Sequence, residues 1–184
     1  DKNVFLTSLL IEAADCEAHN LTLAEKYRVI AEKEVRWQEC ETEDCEVLIV
    51  AYGTPSRIAM SAVEQLRAKG IKAGLFRPIT LWPFPSKRLA ELAAKAKGVL
   101  SVEQSLGQLV QDVKLAVNGR PPVYLNAYPA GGQPDGASIL TAVHSILNGG
   151  KEGLFDLQEH AEGFVYECKR DSRLGIQGDL KGGK

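Results

Sequence analysis

An unbroken apolar run at residues 47–51 is the feature that most constrains the fold. Such a run is typical of a strand that is buried on both faces of a parallel sheet. The run is followed by Thr54, which we expect to cap a helix, and by Pro55, which fits a helical first turn. Gly70 is a typical helix stop, and residues 71–76 then predict a second strand. The stretch therefore predicts a βαβ unit.

The same alternation of strand and helix continues towards the carboxyl terminus. Two more strands are predicted at 99–103 and 121–126. Three more helices are predicted: one capped by Ser86, one that begins at about Leu106 and one capped by Asp135. Strands and helices that alternate at this spacing form a mostly parallel sheet with helices packed on its faces. We therefore predict an α/β fold with three layers, α/β/α, around a sheet of four to five strands.

The pattern divides the chain into three regions. We expect an acidic helical arm or linker at 1–45, an α/β domain at 46–149 and a carboxyl-terminal appendage at 150–184. The appendage is charged and rich in glycine, so we expect it to be weakly structured at its end. Residues 164–166 are its one candidate for an additional edge strand.

Two helices are predicted in the arm. Ser8 is a candidate cap for a short first helix, and the capping-box pattern that starts at Thr22 predicts a second helix through about Gln38. Trp37 falls on the apolar face of this second helix.

Charge is distributed unevenly between the arm and the domain. Residues 1–45 carry 11 acidic and 5 basic side chains, whereas residues 46–149 carry 6 acidic and 11 basic ones. One explanation is that arm and domain attract each other within one chain or across a dimer. The other is that the domain faces an anionic cofactor or an acidic partner. We favour the first, because charge balance bears on association more than on the chemistry of a site.

Composition excludes several classes of protein. The basic residues are dispersed and the pI is about 6.0, which argues against nucleic-acid binding. No apolar run approaches the roughly 20 residues of a membrane span, and the start lacks the layout of a signal peptide. The four cysteines are scattered, so we expect a reducing, cytoplasmic location and structural or incidental thiols.

Candidate binding residues follow from the expected sheet, since ligands of open α/β sheets gather at the carboxyl ends of the strands. The residues at those positions are Gly53, Thr54, Arg77, Glu103, Gly131 and Gly132. The turn before the first helix is either an anion site or an ordinary cap, and Pro55 favours the cap by removing an amide. Arg77 and Glu103 are expected to face each other across neighbouring strand ends, as an ion pair or as part of a site.

Catalytic chemistry is poorly represented at these positions. None of the three histidines, and no cysteine, falls at a strand end. Cys40 and Cys45 lack the spacing of a zinc or iron–sulfur site. We therefore expect no catalytic residue and no metal site in this chain, and the residues suggest a scaffold or interface domain.

Trp82 and Phe84 lie in a segment that Pro78, Pro83 and Pro85 keep from forming a helix. Two functions are open for these aromatic side chains. They either anchor a subunit contact on a pre-organised backbone, or close one end of the domain's own core. We expect the subunit contact.

Three segments carry a resemblance to a known family. Residues 46–54, residues 74–85 with the string Arg-Pro-Ile-Thr-Leu-Trp-Pro-Phe-Pro, and residues 102–108 with Val-Glu-Gln-Ser-Leu-Gly-Gln resemble the alpha chain of 2-oxoacid:ferredoxin oxidoreductases. The string is specific, whereas the Tyr-Gly-Thr turn is not. The resemblance is closest to the enzymes for 2-oxoisovalerate or 2-oxoglutarate, and it covers residues 20–149. Ala130 stands where the family usually has a glycine.

The resemblance implies a fold like the carboxyl-terminal domain of transketolase. It also implies an enzyme that decarboxylates a 2-oxoacid, transfers the acyl group to coenzyme A and passes electrons to ferredoxin. Thiamine diphosphate, magnesium and iron–sulfur clusters belong to that whole enzyme. The family's pyrimidine-binding domain, which carries the catalytic glutamate, has no counterpart in the resemblance. We therefore expect an assembly domain that binds no cofactor itself, contacts the other subunits and ferredoxin, and forms homo-oligomers.

Two other functions remain open. The chain is alternatively the matching domain of a transketolase or of a 2-oxoacid dehydrogenase beta chain, with a different electron acceptor in the second case. A free-standing flavodoxin-like module for a small anion is the remaining possibility. The string at 77–85 favours the first function over both.

Overall fold

A computed structural model describes residues 9–129 and 131–155, in which five strands and five helices form a layered α/β domain. The strands are β1 (Trp37–Cys40), β2 (Val47–Val50), β3 (Ala73–Pro78), β4 (Gly98–Glu103) and β5 (Val123–Ala127). The helices are α1 (Ala13–Lys33), α2 (Gly53–Ala68), α3 (Ser86–Ala93), α4 (Leu109–Val117) and α5 (Gly136–Asn148).

The sheet has the order β1-β3-β2-β4-β5, and every neighbouring pair is parallel except β1 with β3. All four residues of β2 are buried, as the apolar run predicted for a central strand. This arrangement confirms the predicted α/β class and its mostly parallel sheet. The fifth strand is the antiparallel edge strand β1.

Two apolar clusters lie on opposite faces of the sheet and make the layers. One contains Ile49, Leu75 and Leu100 under residues of α2 and α5. The other contains Leu48 and Phe76 under residues of α3 and α4. Strand β2 therefore places alternate side chains in the two clusters, which is why it is apolar throughout.

The arm differs from the prediction in two ways. Helix α1 begins at Ala13, so Thr22 lies inside it and donates its hydroxyl hydrogen to the Ala18 carbonyl at 3.0 Å instead of capping. The helix ends at Lys33, and Trp37–Cys40 pair with β3. The prediction of a helix through Gln38 was wrong because Trp37 fits both a helical face and a short strand. The Ser8 cap lies outside the described residues.

Helix ends were predicted with mixed success. Asp135 caps α5 as expected, since its carboxylate accepts from the amides of Ala137 at 3.1 Å and Ser138 at 3.3 Å, and Gly149 ends the helix. Ser86 is the first residue of α3, not its cap, which is Pro85. Helix α4 begins at Leu109, three residues later than predicted, and the predicted strand at 164–166 lies outside the described residues.

None of the helices within the described residues has the length and apolar character needed to cross a membrane.

Candidate functional site

The carboxylate of Glu103 is the most densely bonded group at the carboxyl edge of the sheet. Glu103 ends β4 and is 1% exposed. One oxygen, Oε2, accepts from the amides of Gln108 and Leu109, both at 2.8 Å, and from the Ser105 hydroxyl. The other, Oε1, accepts from the amide of Val110 at 3.0 Å. These amides are the unpaired donors at the start of α4, so the chain's own carboxylate fills this anion position.

The loop after Glu103 is joined to the glycine-rich loop after β5. The Tyr128 amide donates to the Glu103 carbonyl at 2.9 Å, and the Gln104 side chain donates to the Gly132 carbonyl at 2.9 Å. Gly131 has a φ of +91°, a conformation that favours glycine. The structure therefore brings Glu103, Gly131 and Gly132 to one edge, where they stabilise two connected loops.

Gly53 and Thr54 form the exposed start of α2. The residue at the cap position is Tyr52, whose side chain makes no capping bond, and Gly53 has a φ of +59°. The predicted cap at Thr54 was therefore wrong, since this residue already lies in the first turn. Ser56 instead bonds the turn internally by donating its hydroxyl hydrogen to the Gly53 carbonyl at 2.7 Å.

Arg77 and Glu103 do not face each other across neighbouring strands. Strand β2 lies between the strands that carry them, because the sheet order places the first predicted strand at the centre. Within the described residues, the Arg77 guanidinium donates to the Gln38 side-chain oxygen at 3.1 Å and has no carboxylate partner. The expected ion pair was wrong because sequence patterns give strand positions but not strand order.

Trp82 and Phe84 have different surroundings. Trp82 is 61% exposed and makes an edge-to-face contact with Tyr27 of α1, with ring centroids 5.4 Å apart. Phe84 is half-buried and packs against the cluster under α3 and α4. Exposure at this level means that Trp82 does not close the core formed by the described residues, whereas Phe84 contributes to that core.

The edge strand β1 carries a charged residue, Glu39, that no sequence pattern indicated as part of a site. Glu39 of β1 accepts from the Nε and Nη2 groups of Arg88 in α3, both at 2.8 Å, and from Trp37 and Thr42. The hydrogen bond from Arg88 lowers the pKa of Glu39 from its ordinary 4.5 to about 2. No pattern linked two residues that are 49 positions apart, and only strand pairing brings them together.

Reactive groups are sparse throughout the part of the chain that the structure describes. Cys16, Cys40 and Cys45 are free thiols, and burial raises the pKa of Cys45 to about 11. No three histidine, cysteine or acidic side chains cluster in these residues as metal ligands would.

The start of α4 does not fit a diphosphate such as that of thiamine diphosphate. At the start of α4, the donors that would hold an anion are bonded to a buried carboxylate, which would repel one. At this position Glu103 holds the loop before α4 in place.

Solved structures of an oxidoreductase and of a transketolase share this fold. A 2-oxoglutarate:ferredoxin oxidoreductase from Magnetococcus marinus, solved with 2-oxoglutarate, coenzyme A and succinyl-CoA bound, aligns with a TM-score of 0.65 at 19% identity. The alignment covers 75% of this chain and 24% of that one. A split-gene transketolase, described as an inactive beta4 tetramer, aligns with a TM-score of 0.54 at 23% identity over 61% of this chain and 41% of that one.

Sequence comparison gives closer similarity. The chain is 47% identical over 121 residues to ketoisovalerate oxidoreductase subunit VorB of Methanothermobacter marburgensis. The match covers 66% of this chain and 34% of that protein, so the chain spans about a third of the relative's length. Residues 45–136 match the family described as pyruvate:ferredoxin oxidoreductase core domain II. The chain therefore belongs to the pyruvate:ferredoxin oxidoreductase core domain II family.

Proposed function

We propose that this chain is an assembly domain of a 2-oxoacid:ferredoxin oxidoreductase. The whole enzyme would oxidatively decarboxylate a 2-oxoacid to an acyl-CoA and reduce ferredoxin, with 2-oxoisovalerate as the first candidate substrate and 2-oxoglutarate as the second. The 47% identity to a ketoisovalerate oxidoreductase subunit is the observation that carries this proposal. Thiamine diphosphate, magnesium, iron–sulfur clusters and coenzyme A would be bound elsewhere in that enzyme.

The assembly role is supported by how the described residues are used. The buried carboxylate of Glu103 accepts hydrogen bonds from main-chain amides, and the carboxylate of Glu39 is paired with Arg88. By contrast, Trp82 presents an indole that is 61% exposed, next to an exposed Tyr27. Large aromatic side chains of this kind concentrate binding energy when a partner covers them. We therefore place a subunit contact at Trp82, with Phe84 supporting it from the core side.

The domain boundaries are part of the same proposal. Residues 46–149 form the α/β domain to which β1 adds an edge, and α1 leads into it. We place the chain in the cytoplasm with the other subunits, without a nucleic-acid or membrane partner.

The test is to add an affinity tag to the chromosomal gene for this chain and to purify the assembly that contains it. We expect reduction of a viologen dye that requires coenzyme A and 2-oxoisovalerate or 2-oxoglutarate. An intact assembly that reduces no dye with either acid, or with pyruvate, would contradict the proposed function. A dehydrogenase-type assembly would instead reduce NAD⁺, and a transketolase-type one would transfer carbon units between sugars.

A further inference from the structure

A trough lies at the edge of the sheet, between β1, β3 and α2. We define this edge trough by the residues that line it, which are Gln38, Glu39 and Cys40 of β1, Leu75 and Arg77 of β3, and Met60 of α2. Its volume is about 440 Å³. It exists because α2 packs on β3, whereas β1 extends the sheet beyond that helix. Leu75 and Met60 supply its apolar lining, and Arg77 lies at the end nearest the carboxyl terminus of β3.

Two arginines near the edge trough have no carboxylate partner among the described residues, unlike four arginines elsewhere. Arg28, Arg36, Arg67 and Arg88 each pair with at least one carboxylate. Within the described residues, Arg77 bonds only the neutral Gln38 side chain, and Arg57 has no side-chain hydrogen bond or ion pair. Arg57 is exposed and lies one helical turn before Met60, which lines the trough. The end of the edge trough near Arg57 and Arg77 therefore carries positive charge that no carboxylate among the described residues neutralises.

The other charged groups around the trough leave this positive end uncompensated. The carboxylate of Glu39 is engaged by Arg88. Glu64 lies one turn after Met60, towards the opposite end of the trough, where Arg67 is engaged by Asp44 at 2.8 Å. An occupant that is acidic at one end and apolar along its body would match this distribution.

The start of α1 is acidic and carries an exposed apolar side chain, so it is complementary to the edge trough. Among the described residues, Glu12, Asp15 and Glu17 have no ion pair, and Ile11 is 83% exposed. Helix α1 contains no buried residue. Its 21 residues span about 31 Å, so its start is held well away from the Tyr27–Trp82 contact. None of its residues lines the edge trough of its own chain.

We propose that the edge trough receives the acidic start of α1 from a second copy of this chain. Glu12 and Asp15 would meet the guanidinium groups of Arg57 and Arg77, and Ile11 would cover the floor at Leu75 and Met60. A reciprocal exchange uses the same two surfaces twice and closes a two-fold dimer. This self-association is independent of the enzyme's reaction, so it stands or falls separately from the proposed function.

Charge reversal tests the pairing by sedimentation velocity over a concentration and salt series. We expect wild type to dimerise less tightly as salt rises. Arg57→Glu with Arg77→Glu should weaken the dimer at least about tenfold, and so should Glu12→Arg with Asp15→Arg. Combining all four should restore affinity to within about threefold of wild type. The control is Arg120→Glu, which changes an exposed arginine that has no carboxylate partner among the described residues and lies outside the trough.

A melt of each variant shows whether it is folded, because only the Arg77 change touches a half-buried side chain. If the trough double variant does not fold, Arg57→Glu alone with Asp15→Arg gives the same comparison from two exposed positions. A chain that stays monomeric at about 100 µM would overturn the proposal. So would a dimer that the trough reversal leaves unchanged, or a combination that shows no recovery.

Two native thiols allow a direct check of the contact. Cys16 lies in the first turn of α1 and Cys40 lines the edge trough. We would mix a chain that keeps only Cys16 with one that keeps only Cys40, the other cysteines being changed to alanine. Burial raises the pKa of the Cys40 thiol, so a short bismaleimide is added at mildly alkaline pH. A mixed crosslinked dimer is expected, and its absence would overturn the proposal.

Discussion

The carboxylate of Glu103 holds the first turn of α4 in place, since its two oxygens accept from three main-chain amides at 2.8 to 3.0 Å. Glu103→Gln removes the charge from a site that is almost fully buried. We expect a loss of about 1.5 to 3 kcal/mol in the free energy of unfolding, as for hydrogen bonds to charged groups. Urea melts measure the loss.

The control for this change is Glu64→Gln, in an exposed helix position without an ion pair among the described residues, where we expect less than about 0.5 kcal/mol. Equal midpoints for wild type and Glu103→Gln would show that the amides of α4 do not depend on this carboxylate.

Thr54 and Asp135 give a matched pair of helix starts. Asp135 accepts from two amides of α5, so Asp135→Ala should cost about 0.5 to 2 kcal/mol. Thr54 is exposed and is not the cap of α2, so Thr54→Ala should change the free energy of unfolding by less than about 0.5 kcal/mol. Denaturant melts of both variants decide the assignment. Similar losses for the two would restore Thr54 as a cap.

At the scale of elements, β1 is attached to α3 through Glu39 and Arg88, and this contact predicts a dependence on acid. The pKa of Glu39 is about 2 in the folded chain and about 4.5 when free of its partner. The unfolded chain therefore binds more protons between these values, so stability falls as pH drops from about 4.5 to 2. We expect Glu39 to contribute about 1 to 3 kcal/mol above this window.

Melts of wild type and Glu39→Gln across pH 2 to 7 measure this contribution, about 1 to 3 kcal/mol near neutrality. The gap between the two proteins should narrow as the pH falls through the window. Glu34→Gln is the control, because Glu34 pairs with Arg36 on the exposed surface. A gap that stays constant with pH would contradict the role of the Glu39 charge.

Elements that depend on local patterns could be predicted from the sequence, and those that depend on strand pairing could not. The run at 47–51 gave the central strand, and Asp135 gave the start of α5. Strand β1 has only four residues, and Trp37, seven positions after Ile30, fits the apolar face of a helix as well. The pair of Arg77 and Glu103 failed because β2 separates their strands. Local periodicity carries no information about the order of strands in a sheet.

For the whole molecule, the proposed function predicts that the purified chain does not bind thiamine diphosphate. The α4 amides that could hold a phosphate are bonded to Glu103, and the start of α2 loses a donor at Pro55. Calorimetric titration with thiamine diphosphate and magnesium measures binding, with the complete assembly as the positive control. Micromolar affinity in the chain alone would contradict this prediction.

We propose that this chain assembles the enzyme without taking part in the reaction. Trp82→Ala in the tagged assembly tests it, because Trp82 is 61% exposed and its loss should leave the chain's own melt within about 1 kcal/mol. The measurement is the yield of assembled enzyme together with dye reduction per assembled enzyme. We predict a lower yield with unchanged kcat and KM in what assembles. A full yield, or an assembled enzyme whose kcat falls, would contradict the claim.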